Sequence, residues 1–194
     1  MLHEPPAASV EPEPYRFSVE EWHRLGEIGM FDEGGRVELL DGEIIIMSPI
    51  GDRHAWALTN LNELFSEENH RRYYVWVNNP VEADKRSEPL PDLALIPRSL
   101  KAARRHPFTQ QVHLIVEISD SSLRYDRGRK LHKYASTGAP EYWIVNLQDD
   151  VIEVHREPGG DSFSQISTHG LGETISPLAF PDVTIPVAEI IPAR

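Results

Sequence analysis

The chain has 194 residues, no cysteine, 40% hydrophobic residues and a net charge of −12. Its length suits one domain with a real core, and no stretch approaches the ~20 apolar residues of a membrane helix. Without cysteine there are no disulfides and no thiolate metal sites, so any cation must be held by carboxylate, imidazole or water. That donor set favours magnesium or manganese over zinc, although histidine sites stay open. The acidic balance argues against a uniformly basic, phosphate-binding surface. Charge is nevertheless uneven: from Arg98 to Lys133 nine cations face three acids, a local +6, leaving −18 elsewhere. The basic segment reads either as an electrostatic footprint around a site or as a loop and a solvated helix.

Residues 1–14 contain four prolines and three acids, and are expected to form a disordered tail. Their acidic, proline-rich character is unlike a signal peptide, so the default location is the cytoplasm. The capping-box pattern Ser18–Glu21 predicts a helix over 19–29, with Trp22, Leu25 and Ile28 or Met30 inward and Gly29 and Gly34-Gly35 ending it. RVELL-DG-EIIIM predicts a hairpin about Asp41-Gly42. On its first strand Glu38 shares a face with Leu40, and reads either as a half-buried functional acid or as an ordinary solvent-facing one. A helix follows with His54, Leu58, Leu61 and Phe65 on one stripe, which puts His54 on the rim of the core as a satisfied histidine, a ligand or a base.

Tyr73–Val81 and Glu88–Ile96 read as strands, with Asp92 the lone charge in the apolar part of the second, just after Pro91. Pro97–Pro107 is a basic connector with one helical turn. The stretch Val112–Asn146 then reads as strand, polar break, charged helix, Gly-Ala-Pro stop and strand. Its first strand is apolar on both faces except for Glu117, and a buried strand tolerates a carboxylate only when something pairs with it or binds it. Ser119-Asp120-Ser121-Ser122 supplies capping side chains for the helix that carries Asp126, Lys130, Lys133 and Tyr134. A second hairpin turns at Gln148–Asp150 and is broken by Pro158-Gly159-Gly160. Short β segments near 163–168 and 173–176 and an apolar ending from 183 to 191 complete the chain.

Two carboxylates on neighbouring strands, Asp92 and Glu117, can share a divalent cation, with the Ile118 carbonyl completing an oxygen site. Bare acids at that distance repel, and a dication removes the conflict. An ammonium nearby would orient a nucleophile or stabilise charge developing on a phosphate. Lys130 suits that place better than Lys133. With Leu131, Tyr134 and Ala135 as the packed stripe, Lys130 lies about 100° from Leu131 and Lys133 about 160° away. Asp126, one turn before Lys130, reads as its i,i+4 partner, and Tyr134 and Trp143 as core.

Pro91-Asp92 with Val116-Glu117-Ile118 resembles the PD-(D/E)xK nuclease superfamily. ELLDGEIIIMSP before His54, PDLALI, VEISDSS and the run from Asp126 through Lys130, Tyr134 and Gly138 to Glu141-Tyr142-Trp143 resemble more closely the Uma2-like (DUF820) family, over roughly residues 16–190. One position departs from the superfamily pattern: Ser119 stands two residues after Glu117, where a lysine is expected, and in the Uma2-like family the next helix supplies that lysine, matching Lys130. The resemblance implies an α/β (α+β) restriction-endonuclease-like fold over 15–194, a mixed central β-sheet flanked by helices with extra β-hairpins. It also implies a Mg2+ (or Mn2+) nuclease site built from Asp92, Glu117, Ile118 and Lys130, with Glu38, from the ELxDG motif, as an extra ligand or holder of metal water. The substrate implied is nucleic acid, with DNA the leading reading, and the assembly a homodimer or higher homo-oligomer. The rival expectation is a catalytically silent binding or assembly module that keeps the fold, suggested by the acidic body and the lack of any DNA-reading element.

Overall fold

The computed structural model describes residues 12–32 and 35–193. The segment up to residue 11, most of the expected tail, and Gly34, one of the expected helix stops, lie outside the described residues. A six-stranded sheet, in the order β3-β4-β5-β6-β7-β8, divides the core into two faces. Its strands are β3 (Tyr73–Val77), β4 (Leu93–Pro97), β5 (Leu114–Ser119), β6 (Glu141–Asn146), β7 (Val151–Gly159) and β8 (Ser162–Gly170). Neighbours are antiparallel except β5 and β6, which are parallel. A parallel pair needs a crossover, and the charged helix predicted after Glu117 supplies it.

Alternation along β4 and β5 assigns the two faces. Leu93, Leu95, Leu114, Val116 and Ile118 pack with Leu58, Leu61 and Phe65 of α2 (Asp52–Glu67). The C-terminal β9 (Thr174–Ile175), β10 (Ile185–Pro186) and α5 (Val187–Ile190) bury Ile175, Ile185, Val187 and Ile190 in the same core. Ala94, Ile96 and Ile115 face the other way, toward Leu123, Tyr134 and Ala135 of the crossover helix. Asp92 and Glu117 share the parity of this second face. Each of the large side chains fully buried here, Trp143, Tyr134 and Leu93 among them, contributes about 1.5–3 kcal/mol of transfer free energy.

The crossover begins as α3 (Leu123–Tyr125), widens into a π turn (Asp126–Lys130) and continues as α4 (Leu131–Ser136). The Leu131 N–H donates to the Asp126 carbonyl five residues back. A π turn holds more than four residues, so Asp126, Lys130 and Tyr134 all face the sheet, while Leu131, taken from the sequence as part of the inward stripe, is only half-buried.

The hairpin β1 (Val37–Leu40) and β2 (Glu43–Ile46) forms as expected, with φ of 54° at Asp41 and 74° at Gly42, both in the left-handed region such a two-residue turn requires. It is a separate two-stranded sheet, joined to the body by a bridge between Leu39 and Glu88. In α1 (Val19–Glu27) the Ser18–Glu21 capping box is complete and Gly29 ends the helix with φ of 75°. Ile28 and Met30, expected inward, are exposed instead: the helix lies on the rim, and Trp22 packs on Phe31 at 4.5 Å rather than under a deeper layer. The second strand is shorter than expected, starting at Leu93, because Pro89 and Pro91 have no N–H to give a ladder. Pro158 does not break its hairpin. It lies inside β7 opposite Phe163, and Gly160 makes the turn.

Candidate active site

The register Leu93↔Val116, extended by one residue, puts Asp92 opposite Glu117. Both side chains line a cavity of about 390 Å³ at the end of β4 and β5, with Ile118, Arg36, His54, Tyr125 and Asp126 among its other walls. Asp92 Oδ2 accepts from the Ile118 N–H (2.8 Å) and bonds to His54 Nε2 (3.0 Å), while Oδ1 accepts from Arg36 (3.2 Å). Burial alone would raise the Asp92 pKa. The hydrogen bond and charge of His54, the Ile118 N–H and the Lys130 charge overcome it and hold the carboxyl below its ordinary value.

Glu117 Oε1 accepts from Lys130 Nζ and from the Tyr134 hydroxyl, each at 2.8 Å. Lys130 has no exposed surface, and its ammonium also lies 3.2 Å from Glu38 Oε2. Glu38, left open between a buried and a solvent-facing role, is buried. Its Oε2 accepts from the Leu90 N–H (2.9 Å) and its Oε1 from the Tyr125 hydroxyl (2.7 Å). Glu38 and Lys130 therefore stand behind the cavity wall, while Asp92, Glu117 and Ile118 form it.

Asp126 is not the ion-pair partner of Lys130 that helical spacing suggested. Its Oδ2 accepts from Ser119 (2.7 Å) and Ser122 (2.6 Å), so Ser122 gives its hydroxyl to this carboxylate and makes no side-chain cap. Ser119, standing where the superfamily has lysine, anchors Asp126 beside the cavity. Burial raises the Asp126 pKa against the opposing pull of Lys130, Ser122 and Ser119.

Four buried carboxylates, Glu38, Asp92, Glu117 and Asp126, thus surround one ammonium. Burial and the charges of Asp126, Asp92 and Glu38 push the Glu117 carboxyl well above its usual range, against the attraction of Lys130. Burial would strip the proton from Lys130, but Glu117, Glu38 and Asp126 more than offset it and the amine is held protonated. Burial and mutual repulsion of the acids favour a proton on Glu117, a conflict that a dication would remove, and the cluster has donor atoms to spare. Among the described residues, Asp126 Oδ1 and His54 Nδ1 are buried without a hydrogen-bond partner, and the bonds to Glu117 converge on Oε1. Spare carboxylate oxygens on mutually repelling acids fit a hard dication. Among the described residues, the one place where three histidine or acidic ligand atoms approach within 4.8 Å of one another is elsewhere, at His23, Glu88 and His106. A cation here would fill its remaining positions with carbonyl or water oxygens.

The sequence reading missed Arg36 and Tyr125. Arg36 was findable, since it lies two residues before Glu38 and so shares its face. Tyr125 was not: it is five residues before Lys130, and only the π turn brings both to Glu38.

The family model described as "Uma2: Putative restriction endonuclease" matches residues 19–188. The chain belongs to the Uma2 family. Its fold is shared by the crystal structure of a "putative nuclease belonging to DUF820" from Anabaena variabilis, with a TM-score of 0.70 at 12% identity over 90% of this chain and 97% of that one. A weaker likeness, TM-score 0.36 and 17% identity over 58% of this chain and 13% of that one, is to the type IIG restriction endonuclease BpuSI. No curated protein matches. The expected restriction-endonuclease-like fold, a mixed sheet flanked by helices with hairpins, is the Uma2 fold seen here. Among the described residues no helix is long and apolar enough to cross a membrane.

Proposed function

We propose that this Uma2 protein is a metal-dependent nuclease that hydrolyses phosphodiester bonds in DNA at the Asp92–Glu117 cavity. The observation that carries the reading is a buried Lys130–Glu117 pair, 2.8 Å long, opposite Asp92 and beside spare carboxylate oxygens. The family description and the DUF820 neighbour, itself described as a "putative nuclease", support the same class.

Asp92, Glu117 and the Ile118 carbonyl would hold Mg2+ or Mn2+, which when bound supplies charge neutralisation and Lewis-acid polarisation of the phosphoryl group. The chain's own residues do the rest. Tyr134 and Lys130 fix the Glu117 carboxylate through one oxygen and leave the other turned from them. His54 and the Ile118 N–H orient Asp92. Arg36, the more exposed partner of Asp92, places a guanidinium where a phosphate would enter. Lys130 contributes positive charge from behind the cavity wall through its contact with Glu117, and Glu38 keeps it there.

Nicking of supercoiled plasmid in Mg2+ or Mn2+ tests the assignment, with an RNA arm to establish the nucleic acid. Asp92→Ala, Glu117→Gln and Lys130→Met are each expected to lower the rate by about 100-fold or more, a loss of roughly 2.7 kcal/mol. Cleavage by all three variants at the wild-type rate would mean that the activity comes from elsewhere. The complete burial of Lys130 also favours a second reading, in which the lysine serves as a structural counter-ion in a silent binding module. Calorimetry separates them: Mg2+ binding that is lost in Glu117→Gln supports the nuclease, and no binding supports the module. The homo-oligomer implied by the family resemblance is checked by sedimentation.

A further inference from the structure

A second cavity lies away from the Asp92–Glu117 site, and a different trio of ligand-type side chains sits on its wall. It measures about 920 Å³ and is lined by His23, Glu88, His106, Tyr74, Trp76 and Arg105, among others. Glu88 is almost fully buried and holds one histidine on each oxygen: His23 Nε2 at 2.8 Å from Oε2 and His106 Nδ1 at 2.6 Å from Oε1. The two imidazoles meet edge to face, with centroids 5.9 Å apart. We propose that His23, Glu88 and His106 form a second cation site, selective for a borderline divalent metal such as zinc and open to the cavity on its remaining side.

Two nitrogens and one carboxylate oxygen within 4.8 Å of one another are the donor set and number of an open zinc site. Each donor is placed by backbone contacts that do not involve the histidines. The Glu88 N–H donates to the Leu39 carbonyl (2.8 Å), which ties the carboxylate to the hairpin. The Val19 N–H donates to the Lys85 carbonyl (2.9 Å) and docks the start of α1 beside that loop. The His106 segment is held by hydrogen bonds of Glu82 with Pro107 and Thr109 (2.9 and 3.0 Å). Preorganisation of this kind lowers the ordering cost of binding.

In the metal-free state each ring can give an N–H to Glu88, and the trio is a satisfied buried carboxylate. Ligation needs those protons to move to the other ring nitrogens, and the histidine side chains are 47% and 36% exposed, so water can reach them. Ligand atoms around a tetrahedral zinc are about 3.3 Å apart, so the 2.8 and 2.6 Å contacts must open by about 0.5 and about 0.7 Å, which partly exposed rings permit. Lys101, Arg104 and Arg105 on the same cavity would favour an anionic group as the fourth ligand. Nothing in this inference depends on the nuclease reading.

Tag-free full-length chain is titrated with Co2+ and followed by visible absorption, then with Zn2+ by calorimetry and by thermal melting. The expected result is one equivalent of Co2+ with tetrahedral or five-coordinate d–d bands, displaced by Zn2+. Zinc at hundredfold excess over its Kd should raise Tm by about 5–10 °C. His106→Gln and His23→Gln should each weaken binding roughly tenfold or more, and because the rings are partly exposed both variants should fold. Glu117→Gln should leave the bands unchanged. Absence of bands, their persistence in both histidine variants, or their loss in Glu117→Gln would overturn the assignment, and the last outcome would move the metal to the other cavity.

Discussion

Replacing Lys130 by methionine keeps most of the volume of a fully buried side chain and removes its charge. Glu117 Oε1 is then left with the Tyr134 hydroxyl alone, and Glu38 Oε2 with the Leu90 N–H alone. Breaking a buried ion pair by removing one partner costs about 3–5 kcal/mol, because a desolvated charge stays behind. Against a total stability of about 5–15 kcal/mol the variant should fold but unfold earlier. With a urea m-value of about 2–3 kcal/mol/M, its midpoint should fall by about 1–2 M in metal-free buffer. The cycle is closed by Glu117→Gln and by the double variant, which removes both charges and should recover about 2 kcal/mol or more of the loss. Both single variants and the double one should be inactive, so stability and catalysis part company in the double variant. A Lys130→Met protein within 1 kcal/mol of wild type in metal-free buffer would refute the counter-ion reasoning.

Ser119→Ala removes one of the two hydroxyls that hold Asp126 Oδ2, and thermal melting should show a loss of about 1–2 kcal/mol. Gly42→Ala puts a Cβ at 2.7 Å from Arg16 Cβ and 2.9 Å from Arg16 Cα, at a φ of +74°, so urea unfolding should show a loss of about 2 kcal/mol or more. Glu153 is buried, which by itself would raise its pKa, yet His155 with Nε2 3.7 Å away, the hydrogen bonds of Arg127 and Asn146 and the charge of Arg127 lower it to about 2. A lowered carboxylate pKa stabilises the fold above the unfolded value of 4.5 and loses that contribution as pH falls from there toward 2. Discounting for the half-exposed Arg127, Glu153→Gln should cost about 1–2 kcal/mol at pH 7 and close to nothing at pH 2, measured by urea titration at each pH.

The strands, the hairpin and the pairing of Asp92 with Glu117 were legible because each rests on local pattern: period-2 alternation, a two-residue turn and a lone acid on an apolar strand. The burial of Glu38 was not, since it depends on Tyr125, Leu90 and Lys130 arriving from three other segments. The phase of the crossover helix was misjudged for a different reason. A regular 3.6-residue repeat makes Leu131 inward and Lys130 marginal, and the π turn at Asp126–Lys130 reverses that. Glu88 drew no notice because it stands in a proline-interrupted run where no periodicity marks a buried face, although it joins the hairpin to the body and holds both histidines. Ile28 and Met30 fit a helical stripe, but that stripe has no second layer to pack against.

Lys130 sits at the meeting point of a near and a far partner, and this gives the site a folding history. Its contact with Glu117 closes a segment of 13 residues within one strand–helix unit, whereas the neighbouring Tyr125–Glu38 bond closes 87. Chain-closure entropy makes the longer loop dearer by about 1.7 kcal/mol. Refolding should therefore form the lysine–glutamate core before the β1–β2 ribbon docks. Kinetic φ-values are expected to be high at Tyr134 and low at Leu39. A chain still waiting for its ribbon would hold the ammonium and one carboxylate with the Glu38 side unsealed, so catalytic competence should return after the main sheet has formed.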